Sequence, residues 1–286
     1  MLKKFLMSAA AVMLLNAASG QCAVKSGDKI SFLGGSITMY GRCWSGGFTY
    51  LVQSGLKANG INATSLYAGV YGEMVDKMLA RMDRDVLSKK PQFMVLCCGM
   101  TEVRLGKRGI PADKFKEYVT AVVDKAQAQG IKVCIITDSI LYEDIKMRYP
   151  AFLNKELAVR YDMLRTLAKE KNCLFADPYT DIRKAIDDYK AKYPGIKGNL
   201  LTTDGIHQNA VGDWIIACAV LRAFGLNDGQ IATAEAAWTK EKRRSQIPAV
   251  TLSAAELDAV IKKAAEKNQS ITDYIASVVE KDAAAQ

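Results

Sequence analysis

Three residues of the sequence have side chains suited to nucleophilic catalysis. His207 is the only histidine among 286 residues, and Asp204 lies three residues before it. Ser36 follows Gly34 and Gly35 at the end of an apolar run. A serine hydroxyl becomes a nucleophile when a base accepts its proton, and a carboxylate fixes the tautomer of that base and favours the imidazolium. The three residue types therefore predict a nucleophile, a base and an orienting acid.

Each segment also has a plainer interpretation when it is taken alone. A lone histidine is most often a surface or capping residue, and two glycines before a serine also fit an ordinary turn after a strand. The polar loop that contains Asp204 and His207 comes at the end of a long α/β pattern. This position favours catalysis for His207, and we expect the loop to meet Ser36 in one site.

The elements that must position these residues alternate along the chain. Short, mostly continuous apolar runs are typical of strands that are buried on both faces. The predicted strands are 29–33, 64–67, 93–97, 132–137 and 173–176. The predicted helices are 48–59, 75–87, 112–129, 155–171, 181–192 and 209–224. This alternation predicts an α/β fold whose parallel sheet carries helices on both faces and binds ligands beyond the carboxyl ends of its strands.

The last part of the chain, residues 226–286, is rich in Ala, Lys and Glu and has no strand pattern. Ser253 and Glu256 fit a capping box before a helix over 254–267, which Asn268 ends. A second helix is predicted over 271–280. We expect a domain over 25–225 and a helical C-terminal appendage over 226–286, packed on the domain or on a partner.

Two further loops contain glycine and directly follow predicted strands. The loop 68–73 follows the second strand and contains Gly72, and the loop 98–102 follows the third and contains Thr101. Amides or polar side chains in such loops can stabilise negative charge that develops on a substrate oxygen. Either loop taken alone fits a structural turn.

Together, the four segments resemble the SGNH/GDSL hydrolase family, over about residues 28–225. They occur in the family's order, with a serine near the N-terminus, a glycine after the second strand, a Gly-x-Asn-Asp-like loop after the third and Asp-x-x-His near the end. The stretch from Arg81 to Pro91, before the third strand, also resembles the corresponding segment of the family. The resemblance implies a three-layer α/β/α sandwich with a flavodoxin-like parallel sheet. It also implies that the protein hydrolyses acyl esters.

The resemblance also implies a role for each site residue. Ser36 is the expected nucleophile and gives its own amide to the oxyanion hole, and Gly72 gives a second amide. Asp204 and His207 complete the expected catalytic triad. Thr101 takes the position of the asparagine whose side chain donates to the oxyanion in the family.

Three residues depart from the family pattern. Gly35 stands where the family usually has the aspartate of Gly-Asp-Ser, which is not the acid of the triad. Thr101 is shorter than asparagine, and loss of one oxyanion donor typically costs about a hundredfold or more in turnover. Glu102 replaces the aspartate that usually follows. These departures are compatible with a weak enzyme, a changed substrate preference or a degenerate binding protein.

The first residues have the pattern of a secretory signal. Lys3 and Lys4 precede an apolar run over 5–15 and small residues at 17–20, which predicts a signal peptide over about 1–20, with a retained N-terminal anchor as the alternative. The bulky Gln21 argues against lipidation of Cys22. We therefore expect a periplasmic or secreted protein with no stable membrane insertion after cleavage.

Charge and cysteine content indicate which classes of partner to expect. The formal net charge is +9, but the basic residues are scattered, which fits a solvated surface better than nucleic-acid binding. Of the seven cysteines, Cys97, Cys98, Cys134, Cys173 and Cys218 lie in apolar segments and are expected core residues, while Cys22 and Cys43 are the ones that could oxidise. No cysteine or histidine pattern predicts a metal site, and the expected chemistry needs no cofactor.

The favoured function is an exported carboxylic ester hydrolase that removes acyl groups, chiefly acetyl, from a small-molecule or glycan ester. The alternative is a degenerate carbohydrate-binding protein of the same fold with weak or no activity. A structural protein that assembles through its C-terminal helices is a third hypothesis. Specificity is expected in the loops 39–47 and 140–154, where Trp44 and Tyr142 are candidates for stacking on sugar rings. The sequence leaves the oligomeric state open.

Overall fold

The computed structural model describes residues 22–43, 46–141, 150–194, 198–240 and 254–284. The chain divides into two compact units, residues 1–246 and residues 247–286. The predicted signal peptide and the stacking candidates Trp44 and Tyr142 lie outside the described residues.

The first unit is built on a sheet of five parallel strands in the order β2-β1-β3-β4-β5. The strands are β1 (Lys29–Gly34), β2 (Thr64–Gly69), β3 (Phe93–Cys97), β4 (Lys132–Ile136) and β5 (Leu174–Ala176). All five predicted strands are confirmed. The central strands β1 and β3 are almost wholly buried, which is why their apolar runs are continuous.

Helices on both faces of the sheet complete the predicted three-layer α/β/α architecture. They are α1 (Ser36–Cys43), α2 (Phe48–Ala58), α3 (Val75–Asp85), α4 (Met100–Arg104), α5 (Ala112–Gln127), α6 (Pro150–Glu170), α7 (Pro178–Lys192), α8 (Ala210–Ala223) and α9 (Asp228–Lys240). Helix α6 begins at a proline, five residues before its predicted start, because a proline is well accommodated in the first turn of a helix.

The helix α1 was not among the predicted helices, because a loop was predicted over 39–47. Gly41, in the last turn of α1, has a packing role. A Cβ on Gly41 would lie 2.5 Å from the ring of Phe48, so the glycine lets the start of α2 pack directly on α1. The predicted specificity loop 39–47 therefore begins as helix.

The helix α9 belongs to the first compact unit. Its side chains Ile231, Ala234 and Trp238 are buried, and a Cβ on Gly55 of α2 would approach both Ala234 and Trp238 to about 3 Å. The first unit thus extends past residue 225, the predicted end of the domain, and includes α9. The small alanines of α9 resemble a solvated helix in composition, but here they allow close packing.

The second unit contains α10 (Ala254–Glu266) and α11 (Ile271–Ala284). Asn268 has the left-handed backbone conformation that ends a helix, as predicted. The Ser270 hydroxyl accepts a hydrogen bond from the amide of Asp273 and caps α11. Ser253 of the predicted capping box lies outside the described residues.

Cysteines lie mainly in the core of the first unit. Cys97, Cys98, Cys134 and Cys218 are buried and Cys173 is half-buried, all as free thiols, which confirms their expected position. Cys22 is also buried, rather than exposed at a terminus. Within the described ranges, no helix combines the length and the apolar character needed to cross a bilayer.

Candidate active site

The serine singled out in the sequence lies at the carboxyl edge of the sheet. Ser36 is the first residue of α1 and follows β1 after the single residue Gly35. The backbone must turn here in a crowded place, because a Cβ on Gly34 would lie 2.1 Å from the hydroxyl of Thr38 and 2.8 Å from the carbonyl of Cys97. Glycine at this position lets the chain pass from β1 into α1 and leaves Ser36 half-buried at the surface.

Ser36, His207 and Asp204 form a continuous chain of hydrogen bonds. Nε2 of His207 lies 2.9 Å from Oγ of Ser36, and Nδ1 lies 2.6 Å from Oδ2 of Asp204. A carboxylate accepts, so Nδ1 carries the proton and Nε2 is free to accept the proton of the serine hydroxyl. The structure thus brings together residues that are far apart in the sequence.

The loop that carries His207 is closed by its own hydrogen bonds. The amide of Thr203 donates to the carbonyl of His207 over 2.7 Å, and Thr202 pairs with Gln208 in an antiparallel bridge. Asn209 then caps α8 by accepting from the amides of Val211 and Gly212. This closed loop fixes the imidazole in front of Ser36.

Asp204 is held as a carboxylate although its side chain is half-exposed. Partial burial alone would raise its pKa, but hydrogen bonds from the side chain and the amide of His207 and from the amide of Ile206 lower the pKa to about 2. The carboxylate is therefore ionised at every pH at which the protein would work, and it can stabilise a positive charge on His207.

The loop that contains Gly72 and the start of α4 approach Ser36 from the ends of β2 and β3; Thr101 lies in the first turn of α4 rather than in the predicted loop. A Cβ on Gly35 would lie 3.3 Å from the carbonyl oxygen of Glu73 and 3.5 Å from Oγ1 of Thr101. Gly72 itself has a positive φ of 70° and is exposed. Both loops predicted to carry oxyanion donors thus lie against the residue that precedes Ser36.

Arg81 of α3 connects the strands beneath these loops. Its guanidinium donates to Glu73 over 2.6 Å, to Asp85 over 3.0 Å and to the carbonyl of Ala68 over 2.8 Å, with a longer bond of 3.4 Å to the carbonyl of Gly34. In the sequence analysis, Arg81 was only part of the stretch 81–91 that resembles the family, and it had no predicted role. In the structure, it ties the ends of β1 and β2 to the loop that carries Gly72.

Glu102 performs a similar task from the other side. Its carboxylate accepts hydrogen bonds from the amides of Val75 and Gly99, which joins the start of α3 to the start of α4. The side chain is 1% exposed, and this burial raises its pKa to about 7 in spite of the two amides. Asp138, also buried, accepts from Cys97 and from the amide of Met100, and burial raises its pKa to about 6.

Two tyrosines that were given no role in the sequence lie against His207. The ring of Tyr40, on α1, meets the imidazole edge-on with centroids 4.6 Å apart. The ring of Tyr71, next to Gly72, lies nearly parallel to the imidazole with centroids 6.4 Å apart and is 60% exposed. No spacing in the sequence relates these three residues, because three separate loops and helices bring them together.

Within the part of the chain that the structure describes, no set of three or more His, Cys, Asp and Glu side chains is arranged to hold a metal ion.

The chain is similar to several known esterases. The model of the GDSL-like lipase/acylhydrolase family matches residues 32–215. An acetylxylan esterase of Geobacillus stearothermophilus is 25% identical over 224 residues, which cover 71% of this chain and 96% of the relative. The crystal structure of the acetyl xylan esterase AlAXEase has 31% identity and a TM-score of 0.59, covering 68% of this chain and 98% of its own. An uncharacterized lipoprotein of Bacillus subtilis is 20% identical over 187 residues, 59% of this chain and 74% of the relative.

Proposed function

Because the chain belongs to the GDSL-like lipase/acylhydrolase family, and is thus a hydrolase of carboxylic esters, we propose that it is an exported serine esterase that removes acetyl groups from carbohydrate. In this proposal, Ser36, His207 and Asp204 form its catalytic triad. The single observation that carries the proposal is the chain of hydrogen bonds from Asp204 through His207 to Ser36, 2.6 Å and 2.9 Å long.

The reaction has two halves. The Ser36 oxygen attacks the ester carbonyl while Nε2 of His207 takes the hydroxyl proton, and the resulting imidazolium then gives this proton to the departing alcohol. An acetyl group remains on Ser36. Water, deprotonated by His207, attacks the acetyl-enzyme and releases acetate and the free serine. Asp204 stays ionised and stabilises the imidazolium in both halves.

The carbonyl oxygen becomes negatively charged during the attack, and we propose three hydrogen-bond donors that stabilise it. They are the amides of Ser36 and Gly72 and the hydroxyl of Thr101. Support comes from Glu73, beside Gly72, and from Thr101 on α4, which both lie against Gly35. The bonds of Arg81 to Glu73 and of Glu102 to Gly99 hold the Gly72 loop and the start of α4 in place before substrate arrives, and such preorganisation is what makes oxyanion donors effective.

The acetyl-carbohydrate substrate class is supported by the relatives. Two of them are acetylxylan esterases, and both are covered almost completely by this chain. Intact polysaccharide does not enter a cell, so an esterase that acts on it would meet its substrate outside. The basic and apolar start of the sequence, and the similarity to a lipoprotein, support export.

The test is acetate release from acetylated xylo-oligosaccharides and from a panel of esters with longer acyl chains. We expect the purified protein to prefer acetyl esters and the Ser36→Ala variant to lose at least about a thousandfold in kcat. The matched control is Ser88→Ala, because Ser88 is exposed just before β3, at the opposite edge of the sheet. An unmodified protein that hydrolyses no ester of the panel would refute the proposal.

Gly35 and Thr101 favour a second candidate function, a carbohydrate-binding protein that has lost its activity. In that case, the unmodified protein would bind acetylated oligosaccharide without releasing acetate. A large gain of activity in Thr101→Asn would then support this second candidate, since asparagine restores the usual oxyanion donor.

A further inference from the structure

The imidazole of His207 is enclosed by two aromatic rings. Tyr40 meets it edge-on at 4.6 Å and Tyr71 lies nearly parallel at 6.4 Å, while the two tyrosine rings are perpendicular with centroids 6.4 Å apart. Tyr40 is half-buried, but Tyr71 leaves 60% of its surface to solvent. A large ring is therefore held beside the imidazole with most of its surface open to solvent.

The Tyr71 ring lies where the alcohol half of an ester substrate would bind. In the proposed mechanism, Nε2 of His207 gives a proton to the alcohol oxygen, so the alcohol half of the substrate must lie beside the imidazole. The proposed oxyanion donors lie near Gly35, in the loop of Gly72 and on α4. The backbone of Tyr71 belongs to the loop of Gly72, but its ring packs beside His207 and thus borders the alcohol half.

A sugar ring has the shape and chemistry for such a contact. One face of a pyranose ring presents several C–H groups with slightly positive hydrogens, and an aromatic ring presents a negative face. Tyrosine adds area at a small cost in conformational entropy, because it has only two side-chain torsions. Tyr40, packed edge-on against both His207 and Tyr71, restricts where the Tyr71 ring can lie.

We propose that Tyr71 is the platform on which the pyranose ring of an acetylated sugar stacks, and that Tyr40 is a positioning residue for it. This inference rests on the proposed function and assigns the specificity for a sugar alcohol to the β2–α3 loop. It predicts that the chain distinguishes esters by their alcohol as well as by their acyl group.

The experiment compares two acetyl esters, an acetylated methyl xylopyranoside and ethyl acetate, whose alcohol has no ring. Acetate release is followed by titration for the unmodified protein, Tyr71→Ala, Tyr71→Phe and Tyr193→Ala. Tyr193 is the matched control, because it is an exposed tyrosine at the end of α7, which runs from the carboxyl end of β5 back toward the opposite edge of the sheet.

We expect Tyr71→Ala to lower the ratio of kcat/KM for the sugar ester to that for ethyl acetate by about five- to tenfold, mainly through KM, which is the range of a single aromatic contact. Tyr71→Phe keeps the ring and should keep the ratio, as should Tyr193→Ala. An unchanged ratio in Tyr71→Ala, or an equal loss on both esters, would overturn the inference while the proposed function stands. Failure of the unmodified protein on both esters would instead refute the proposed function.

Discussion

Gly35 and Thr101 face each other beside the proposed nucleophile, since a Cβ on Gly35 would lie 3.5 Å from Oγ1 of Thr101. These are two of the three positions at which the chain departs from the pattern that the family leads one to expect. Because they are neighbours, both departures change the same side of the site. A side chain at position 35 would also crowd the carbonyl of Glu73, at 3.3 Å.

The hydroxyl of Thr101 can be tested as an oxyanion donor. Thr101→Val keeps the shape of the buried side chain and removes the donor, so we expect kcat on acetyl esters to fall by about a hundredfold or more. Thr101→Ser keeps the hydroxyl and should stay within a few-fold of the unmodified protein. Steady-state kinetics on one ester measures both variants, and a Thr101→Val variant of unchanged kcat would remove Thr101 from the site.

Arg81 provides a second prediction, about the framework of the site. Its side chain is 8% exposed and bonds to two carboxylates and to the ends of two strands. Arg81→Ala should lower the free energy of unfolding by about 2–4 kcal/mol, because it leaves partly buried acceptors unpaired, and it should also lower kcat. Chemical denaturation and kinetics measure the two effects.

The control for Arg81 is Arg84→Ala on the same helix. The side chain of Arg84 is 77% exposed and pairs only with Asp85 at the surface, so its loss should be nearly neutral. Equal effects of the two substitutions would contradict the framework role of Arg81.

Glu102 makes stability depend on pH. Its pKa is raised to about 7 from an ordinary 4.5, so the folded protein keeps a proton that the unfolded chain releases between these values. The stabilising contribution is complete below about pH 4.5 and is lost as the pH rises to 7, which amounts to roughly 3 kcal/mol. Asp138, raised to about 6, acts in the same direction.

Thermal unfolding at pH 5 and pH 8 measures this effect. The unmodified protein should lose more stability between the two pH values than Glu102→Gln, whose side chain does not titrate. Glu117→Gln, an exposed substitution on α5, should lose as much as the unmodified protein. If Glu102→Gln and the unmodified protein had parallel pH profiles, the raised pKa would be wrong.

The helix α9 can be tested through its largest side chain. Trp238 is 1% exposed and packs against Trp214, with ring centroids 5.0 Å apart. Trp238→Ala should lower the free energy of unfolding by about 3–5 kcal/mol. Trp238→Phe should cost much less, because the buried indole N–H has no hydrogen-bond partner among the described residues. An alanine variant as stable as the unmodified protein would place α9 outside the core.

The sequence predicts well those features that depend on local pattern. The strands β1, β3 and β4 are continuous apolar runs because both of their faces are buried, and Ser36, His207 and Asp204 lie in segments with a recognisable pattern. Features that depend on packing were not predictable. No local pattern states that the ring of Phe48 packs on Gly41, or that Gly55 lies against Ala234 and Trp238 of α9.

The surroundings of the site belong to this second group. Arg81 reaches the carbonyls of Gly34 and Ala68 only because β1 and β2 are neighbours in the sheet, and no local pattern states which strands are neighbours. Tyr40 and Tyr71 reach His207 from an unpredicted helix and from a loop tip. The predicted stacking residues Trp44 and Tyr142 lie outside the described residues, and their roles stay predictions.

The reaction of Ser36 with a fluorophosphonate tests most directly the claim that Ser36 is a nucleophile activated by His207. Intact-mass and peptide analysis should find one adduct per chain, on Ser36. The adduct should be absent in Ser36→Ala and should form at least about a hundredfold more slowly in His207→Asn, because the serine then lacks its base. A chain that hydrolyses acetyl esters but is labelled at another residue, or an active chain that is not labelled at all, would contradict the claim.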